Sequence, residues 1–230
     1  YNGTLAASEI YTSSGWVVLG AIPSFATIGT ATDSGTNVSY GSGKVSVAFT
    51  PSSTGGLATT FIATSSPGGI TGTASSSPVV VTGLTQGTSY TFTVVASNSY
   101  GNSAATSSSN SVTPTSVPQA PTIGSPSVAT GQSYTGSANI SIPFTAGATG
   151  GSTITGYTIT SSSGNTASGS SSPIIISDTV GTSRTYTVKA INANGNSSNS
   201  SASSSIHLVM VLAERGTCAT FGTAASPKSS

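Results

Sequence analysis

Residues Gly83–Ser103 read GLTQGTSYTFTVVASNSYGNS. After the Gly87-Thr88-Ser89 turn, Tyr90, Phe92 and Val94 alternate with Thr91 and Thr93, the period-two pattern of a strand with one buried face. Leu84 precedes Tyr90 at the spacing of a tyrosine corner, where the ring packs inward and its hydroxyl bonds backbone a few residues upstream. The same text returns as VGTSRTYTVKAINANGNS over Val180–Ser197. A strand repeated with its flanking turns marks a repeated domain. The 230 residues have room for two domains of roughly 100.

Composition favours sheet. Only 4% of residues are charged, far below the usual quarter, and Ser and Thr together make up about 38%. Many β-branched residues and few charges disfavour helix. The apolar residues are patterned rather than scattered, which argues against disorder. The net charge is +1, and Lys44, Arg184, Lys189, Arg215 and Lys228 are spread along the chain. Nucleic-acid binding needs several phosphates neutralised from one face, so no nucleic-acid partner is expected. Cys218 is the sole cysteine, which excludes an internal disulfide. No apolar run approaches the ~20 residues of a bilayer span, so membrane insertion is not expected. Beginning at Tyr1 without a leader, the chain reads as a processed product or part of a longer one.

Residues 1–22 have no counterpart before the second copy. Asn2-Gly3 and Ser14-Gly15 are turn signals, and Ile10, Tyr11, Trp16, Val17, Val18 and Leu19 suit a hairpin. Trp16, the only tryptophan, permits two readings: it packs on the first domain, or it contacts a neighbouring subunit, since interfaces are rich in Trp and Tyr. The first repeat spans 23–114. KVSVAF (Lys44–Phe49), TTFIAT (Thr59–Thr64), a short edge strand over Ile70–Ala74, VVV (Val79–Val81) and the closing SSSNSVTP complete the strand pattern of a β-sandwich. TPTSVPQAP (Thr113–Pro121) reads as a semi-rigid linker. The second repeat, 115–209, follows in step: NISIPF matches KVSVAF and SSSPIII matches SSSPVVV, after which the copy is one residue shorter before its long strand. Pro143 within NISIPF implies an edge or a bulge there. In the C-terminal part, IHLVMVLA extends the last strand from Ile206. It reads either as an edge open to pairing or as an extension without a role, and 210–230 form the tail.

Catalysis by a nucleophile needs a base within hydrogen-bond reach, oriented by a third group. His207 is the only histidine, and Cys218 and Glu214 crowd the same tail without a scaffold. Glu9, Asp33, Asp178 and Glu214 are too scattered for a glycosidase pair. Asp33 and Asp178 read as turn residues bonding adjacent backbone rather than calcium ligands. The expectation is no enzyme, no cofactor and no metal. The positive alternative is binding. Tyr40 and Tyr134 occupy matching Gly/Ser-rich loops between the first and second strands of their domains, where this architecture places recognition. An aromatic face flanked by hydroxyls can stack on a sugar, but a loop tyrosine folded onto its sandwich is the more common arrangement.

The repeats resemble fibronectin type III-like domains of the bacterial and phage kind. The text that carries this is GLTQGTSYTFTVVASNSYGNSAATSSSNSVTP with the preceding SSPVVV, and GTSRTYTVKAINANGNSSNSSASSS in the second copy. The resemblance implies an all-β fold: two tandem fibronectin type III/Ig-like sandwiches with an N-terminal hairpin and a C-terminal extension. The tryptophan common on the second strand is Phe49 here and Phe144 in the second copy. The corner Tyr90 becomes Arg184, so the second copy is expected to lack that corner. Such nearly uncharged tandem modules look like those of phage virion proteins: tail fibres, tails and capsid decorations. The implied partners are other virion subunits in a symmetric or homo-oligomeric assembly, with a cell-surface glycan as a further candidate. The implied location is the virion or the extracellular space. Similar domains serve as spacers or carbohydrate-binding modules of secreted bacterial proteins and in surface adhesins, and fold alone does not choose among these hosts.

Overall fold

The computed structural model describes residues 9–12, 15–18, 20–130, 136–209 and 222–223. Strands and connecting segments make up all of them, and none is helical. The chain divides between Ser116 and Val117 into two units.

In the first unit, β1 (Glu9–Thr12) and β2 (Gly15–Val18) form the expected hairpin, with Tyr11 opposite Trp16 and Ile10 opposite Val17. β3 (Thr27–Asp33), β4 (Gly43–Thr50), β5 (Thr60–Ser66), β6 (Thr71–Ala74), β7 (Val79–Leu84), β8 (Thr91–Asn98) and β9 (Gly101–Asn102) follow. They make two antiparallel sheets, ordered β3-β4-β7 and β6-β5-β8-β9. The fourth strand of the sandwich joins the sheet of the third and sixth, unlike the constant immunoglobulin arrangement. β6 lies at an edge, as its sequence suggests. Alternation decides what is buried: Val45, Val47 and Phe49 from β4 face Phe92, Val94 and Ala96 from β8. Each large apolar side chain so buried contributes roughly 1.5–3 kcal/mol. Phe49 stacks tilted on Phe61 at 4.4 Å.

The tyrosine corner forms. Tyr90 is buried, and its hydroxyl accepts a 3.2 Å hydrogen bond from the Thr85 amide. Just before it, Leu84 turns inward because Gly83 is an extra residue: Gly43 pairs with Leu84 and Lys44 with Thr82. Gly83 has φ +78°, a value that favours glycine. Tyr90→Phe removes only the corner bond. It is expected to cost about 1 kcal/mol, read as a lowered urea midpoint for the first unit.

The second unit contains β10 (Thr122–Ile123), β11 (Ser127–Val128), β12 (Ser137–Ile142), β13 (Phe144–Thr145), β14 (Ile154–Ser161), β15 (Thr166–Gly169), β16 (Ile174–Thr179), β17 (Ser183–Arg184), β18 (Tyr186–Asn192), β19 (Gly195–Asn196), β20 (Ile206–Val209) and β21 (Gly222–Thr223). Its sheets run β11-β12-β16, β15-β14-β18-β19, β10-β13 and β17-β20-β21. Pro143 splits one expected strand into β12 and β13, since it has no amide hydrogen for the ladder. Ile140, Ile142, Ile159, Ile176, Tyr186 and Val188 form the core. The C-terminal strand ends at Val209 among the described residues, pairing with β17 and with β21.

The closing segment of each unit departs from the expected strand. In the first, Ser103, Thr106 and Ser109 donate their amides to the carbonyls of Ala96, Val94 and Phe92 at 2.8–3.0 Å. Their side-chain oxygens, not their carbonyls, accept the amides of those same three residues, each at 3.0 Å. Each hydroxyl then donates to the carbonyl of the next residue, at 2.7–2.8 Å. Val112 restores an ordinary backbone pair with Tyr90. The second unit repeats the device: Ser197, Ser200 and Ser203 serve Ala190, Val188 and Tyr186 in both directions. Three residues of the segment thus span two of the strand, about 2.3 Å per residue against about 3.3 Å in a ladder. The hydroxyls replace the carbonyls that this contraction turns away.

Candidate binding surface

Tyr40 sits in the loop between β3 and β4 and is 43% exposed. The loop is tightly turned. Ser34 donates its amide to the Lys44 carbonyl (2.9 Å), Val38 to Gly35 (3.1 Å) and Ser42 to Ser39 (3.2 Å). With its amide oriented by the surrounding donors, Gln86 places its side-chain oxygen 3.0, 2.8 and 3.2 Å from the amides of Gly41, Ser42 and Gly43. A second tie comes from Asp33, whose carboxylate accepts the Thr115 amide at 3.1 Å and the Thr115 hydroxyl. The loop therefore presents an exposed aromatic ring on a braced backbone. Tyr134 lies outside the described residues. After the one-residue shortening, Val180 stands where the first copy has Gln86.

At the other end of β4, a second surface gathers around Asn98. Its side-chain amide donates to the carbonyls of Ala21 (2.7 Å) and Leu57 (3.2 Å), and its oxygen accepts the Tyr100 amide (2.9 Å). This clip binds the entering chain, the β4–β5 loop and the turn after β8 together. The side chains held around it are apolar and exposed: Ile22 51%, Leu57 55% and Tyr100 64%. Beside them is a groove of about 210 Å³ lined by Pro23, Pro51, Gly56, Ala58, Phe61 and Ala96. Nothing in the alternation patterns singles out Ile22, Leu57 and Tyr100, because they lie in loops and turns.

The reading of Asp33 and Asp178 as turn residues holding adjacent backbone is corrected. Asp33 ends β3 and bonds Thr115, far along the chain. Asp178 is a strand residue, 1% exposed. Without the extra residue at Gly83, β16 keeps strict register, with Ala138 opposite Asp178. Inward alternation continues through Ile174, Ile176 and Asp178, so a carboxylate takes the inward place that Leu84 has in the first unit. Its oxygens accept from the Ser161 hydroxyl, from Ser163 at 2.8 Å and from the Asn165 amide at 2.8 Å. Arg184 Nε lies 3.7 Å away. Burial raises the Asp178 pKa, but hydrogen bonds from Ser161, Ser163 and Asn165 outweigh it and hold the carboxyl below the ordinary value of 3.8. Burial, then the Asp178 charge, push the Tyr186 phenol upward. The corner expected to be missing is thus replaced by a buried polar cluster.

For chemistry, the structure brings His207 Nδ1 to 3.0 Å from the Ser183 hydroxyl, a pair the sequence does not suggest. The carboxylate of that region, Asp178, is engaged by Ser161, Ser163, Asn165 and Arg184. Cys218 and Glu214 lie outside the described residues, and of Glu9 and Trp16 only the backbone pairing is described. Among the described residues, no three His, Cys, Asp or Glu gather as metal ligands would.

No protein-family model matches the chain, and no curated protein matches it. Solved structures similar to it include a run of titin domains, 17% identical, covering 84% of this chain and 70% of that one at a TM-score of 0.43. The FN1–FN3 domains of chicken CNTN1 are 15% identical, with 79% and 66% covered and a TM-score of 0.37. Fibronectin(III)-like modules of Clostridium thermocellum CbhA are 15% identical, with 74% and 90% covered and a TM-score of 0.36.

Proposed function

We propose that this chain is a non-enzymatic structural component of a phage virion, a tail, tail-fibre or capsid-decoration subunit that presents tandem β-sandwich domains. The observation that carries the reading is how the two sandwiches are stabilised. Apolar packing and a relay of buried hydroxyls hold each unit, and only 4% of residues are charged. A surface of hydroxyls and amides has little for salt to screen, and five Lys and Arg residues offer few sites to basic-specific proteases. Both properties suit a part that must persist outside a cell. The segments flanking the repeats would supply subunit contacts. Electron microscopy of the purified chain tests this: regular filaments or particles are expected, and a dispersed monomer at high concentration overturns it.

The second reading, an extracellular adhesin or carbohydrate-binding spacer, is favoured by one observation, the braced and exposed Tyr40. If Tyr40 stacks on a sugar, a glycan array should show binding by the intact chain that Tyr40→Ala lowers at least tenfold, the loss of a contact of about 1.4 kcal/mol. An array with no binding ends this reading.

A further inference from the structure

We propose that residues 121–128 of the second unit form a strap that opens independently of its sandwich, and that Asn110 is the clamp that denies the first unit the same motion. This inference is independent of the host reading above.

In the first unit, the opening strand β3 is fixed by two side-chain ties. Asn110, in the closing segment, accepts the Ala31 amide on its side-chain oxygen (2.8 Å) and donates its side-chain amide to the Ala31 carbonyl (3.0 Å). One carboxamide thus stands in for the backbone of a neighbouring strand. Two residues on, the Asp33 carboxylate holds Thr115. Fixed in this way, β3 runs unbroken for seven residues.

The ladder registers identify the matching positions in the second unit. Thr122 opposite Thr145 and Ser127 opposite Ser141 repeat Thr27 opposite Thr50 and Thr32 opposite Ser46. Pro126 therefore stands in the place of Ala31, Val128 in that of Asp33, and Ser204, next to Ser203, in that of Asn110. Proline has no amide hydrogen to give, and valine accepts nothing. A serine hydroxyl offers one oxygen where the carboxamide offers a donor and an acceptor side by side. Neither tie can form. The ladder beneath is weakened as well: Gly124 donates to the Pro143 carbonyl (2.8 Å), and Pro143 has no N–H to return.

The strand is accordingly split into β10 and β11, two residues each and in separate sheets. A groove of about 320 Å³, lined by residues 121–125 and 201–204, lies along the seam with the closing segment. Both ends of the segment are pinned. Gln119 bonds Ala148 in both directions (2.9 and 3.1 Å), and the Ala129 amide donates to the Asn139 carbonyl (2.8 Å). Between the pins, the short ladders and the partial burial of Ile123 and Val128 are what hold the strap. Segments with so few buried contacts open at lower free energy than the core strands. Opening bares the edge of β12, and an unpaired strand edge is a template for pairing, so the strap gates that edge.

Amide hydrogen exchange in the full chain, followed residue by residue, tests this. The Gly124 amide is bonded in the closed form, so rapid exchange there reports opening and not a missing partner. It is expected to exchange at least about tenfold faster than the central amides of β14 and β18, at a rate nearly independent of low urea, since local opening exposes little surface. Ser204→Asn with Pro126→Ala installs the clamp and should slow Gly124 about tenfold. Asn110→Ser, in the unit that has the clamp, should hasten exchange over residues 27–33 by a similar factor while β5 and β8 keep theirs. Gly124 exchange that matches β14 and β18 in rate and urea dependence overturns the proposal. So does a double variant that keeps both unfolding transitions and leaves Gly124 unchanged. If the double variant fails to fold, Asn110→Ser decides, and unchanged exchange over residues 27–33 overturns the proposal.

Discussion

Asp178→Ala is expected to destabilise the second unit strongly while leaving the first unchanged. The carboxylate is the common acceptor for the Ser161 and Ser163 hydroxyls and the Asn165 amide, and it faces Arg184. Removing it takes away the acceptor that Ser161, Ser163 and Asn165 share and the counter-charge of Arg184. Breaking a buried charge pair from one side costs about 3–5 kcal/mol. Because the Arg184 side chain keeps 18% of its exposure, about 3 kcal/mol is the fitting magnitude here. A domain of this size has a stability of roughly 5–15 kcal/mol, so the loss should displace one calorimetric transition strongly. The undisturbed transition then identifies the first unit. A variant whose two transitions both stay in place would show that the cluster contributes nothing net.

The same carboxylate sets a pH dependence. Its folded pKa lies below the ordinary value, so its contribution is complete above the unfolded pKa of about 3.9. As pH falls through that value toward the lower folded pKa, the unfolded chain takes up the proton first and the contribution is lost. The second unit's transition should therefore begin to drop as pH falls below about 5. In Asp178→Asn, a neutral residue of the same shape, this part of the slope should vanish.

The paired sheets were legible in the sequence because one physical rule, alternation, writes them. Val45, Val47 and Phe49 in one copy and Ile140 and Ile142 in the other all follow it; the Leu84–Tyr90 corner was legible from its spacing instead. Asp178 was not legible for the opposite reason. As text it is an isolated acid near a Gly-Thr-Ser turn; only the loss of the extra residue that Gly83 provides brings it into inward register. Ile22, Leu57 and Tyr100 are separated in sequence and joined only by the clip of Asn98. The sites proposed for binding differ in the same way. Tyr40 is 43% exposed, but the Gln86 brace that fixes its loop depends on three consecutive amides converging, which spacing alone does not reveal.

The closing segments are the instructive case, since their signal was present and buried in its background. Ser103, Thr106 and Ser109 lead to Val112, and Ser197, Ser200 and Ser203 lead to Ile206, a period of three in both copies. Where about 38% of residues are Ser or Thr, any spacing of hydroxyls occurs by chance. What separates these from their neighbours is burial: Ser197, Ser200 and Ser203 are under a tenth exposed, whereas Ser198, Ser201 and Ser204 are exposed. The prediction is accordingly positional. Ser197→Ala, Ser200→Ala and Ser203→Ala combined take away the only acceptors of the Ala190, Val188 and Tyr186 amides. A buried donor left without a partner costs about 1–3 kcal/mol, so the triple variant should lose at least about 3 kcal/mol. The equally conservative Ser198→Ala, Ser201→Ala and Ser204→Ala should together change stability by less than about 1.5 kcal/mol. Hydrogen exchange sharpens the comparison, because protection should fall at those three amides of β18 and persist at the same amides in the control. Equal losses from the two triple variants would mean that the hydroxyls merely occupy the seam, and that the contracted segment is held by its own amides and by Ile206 alone.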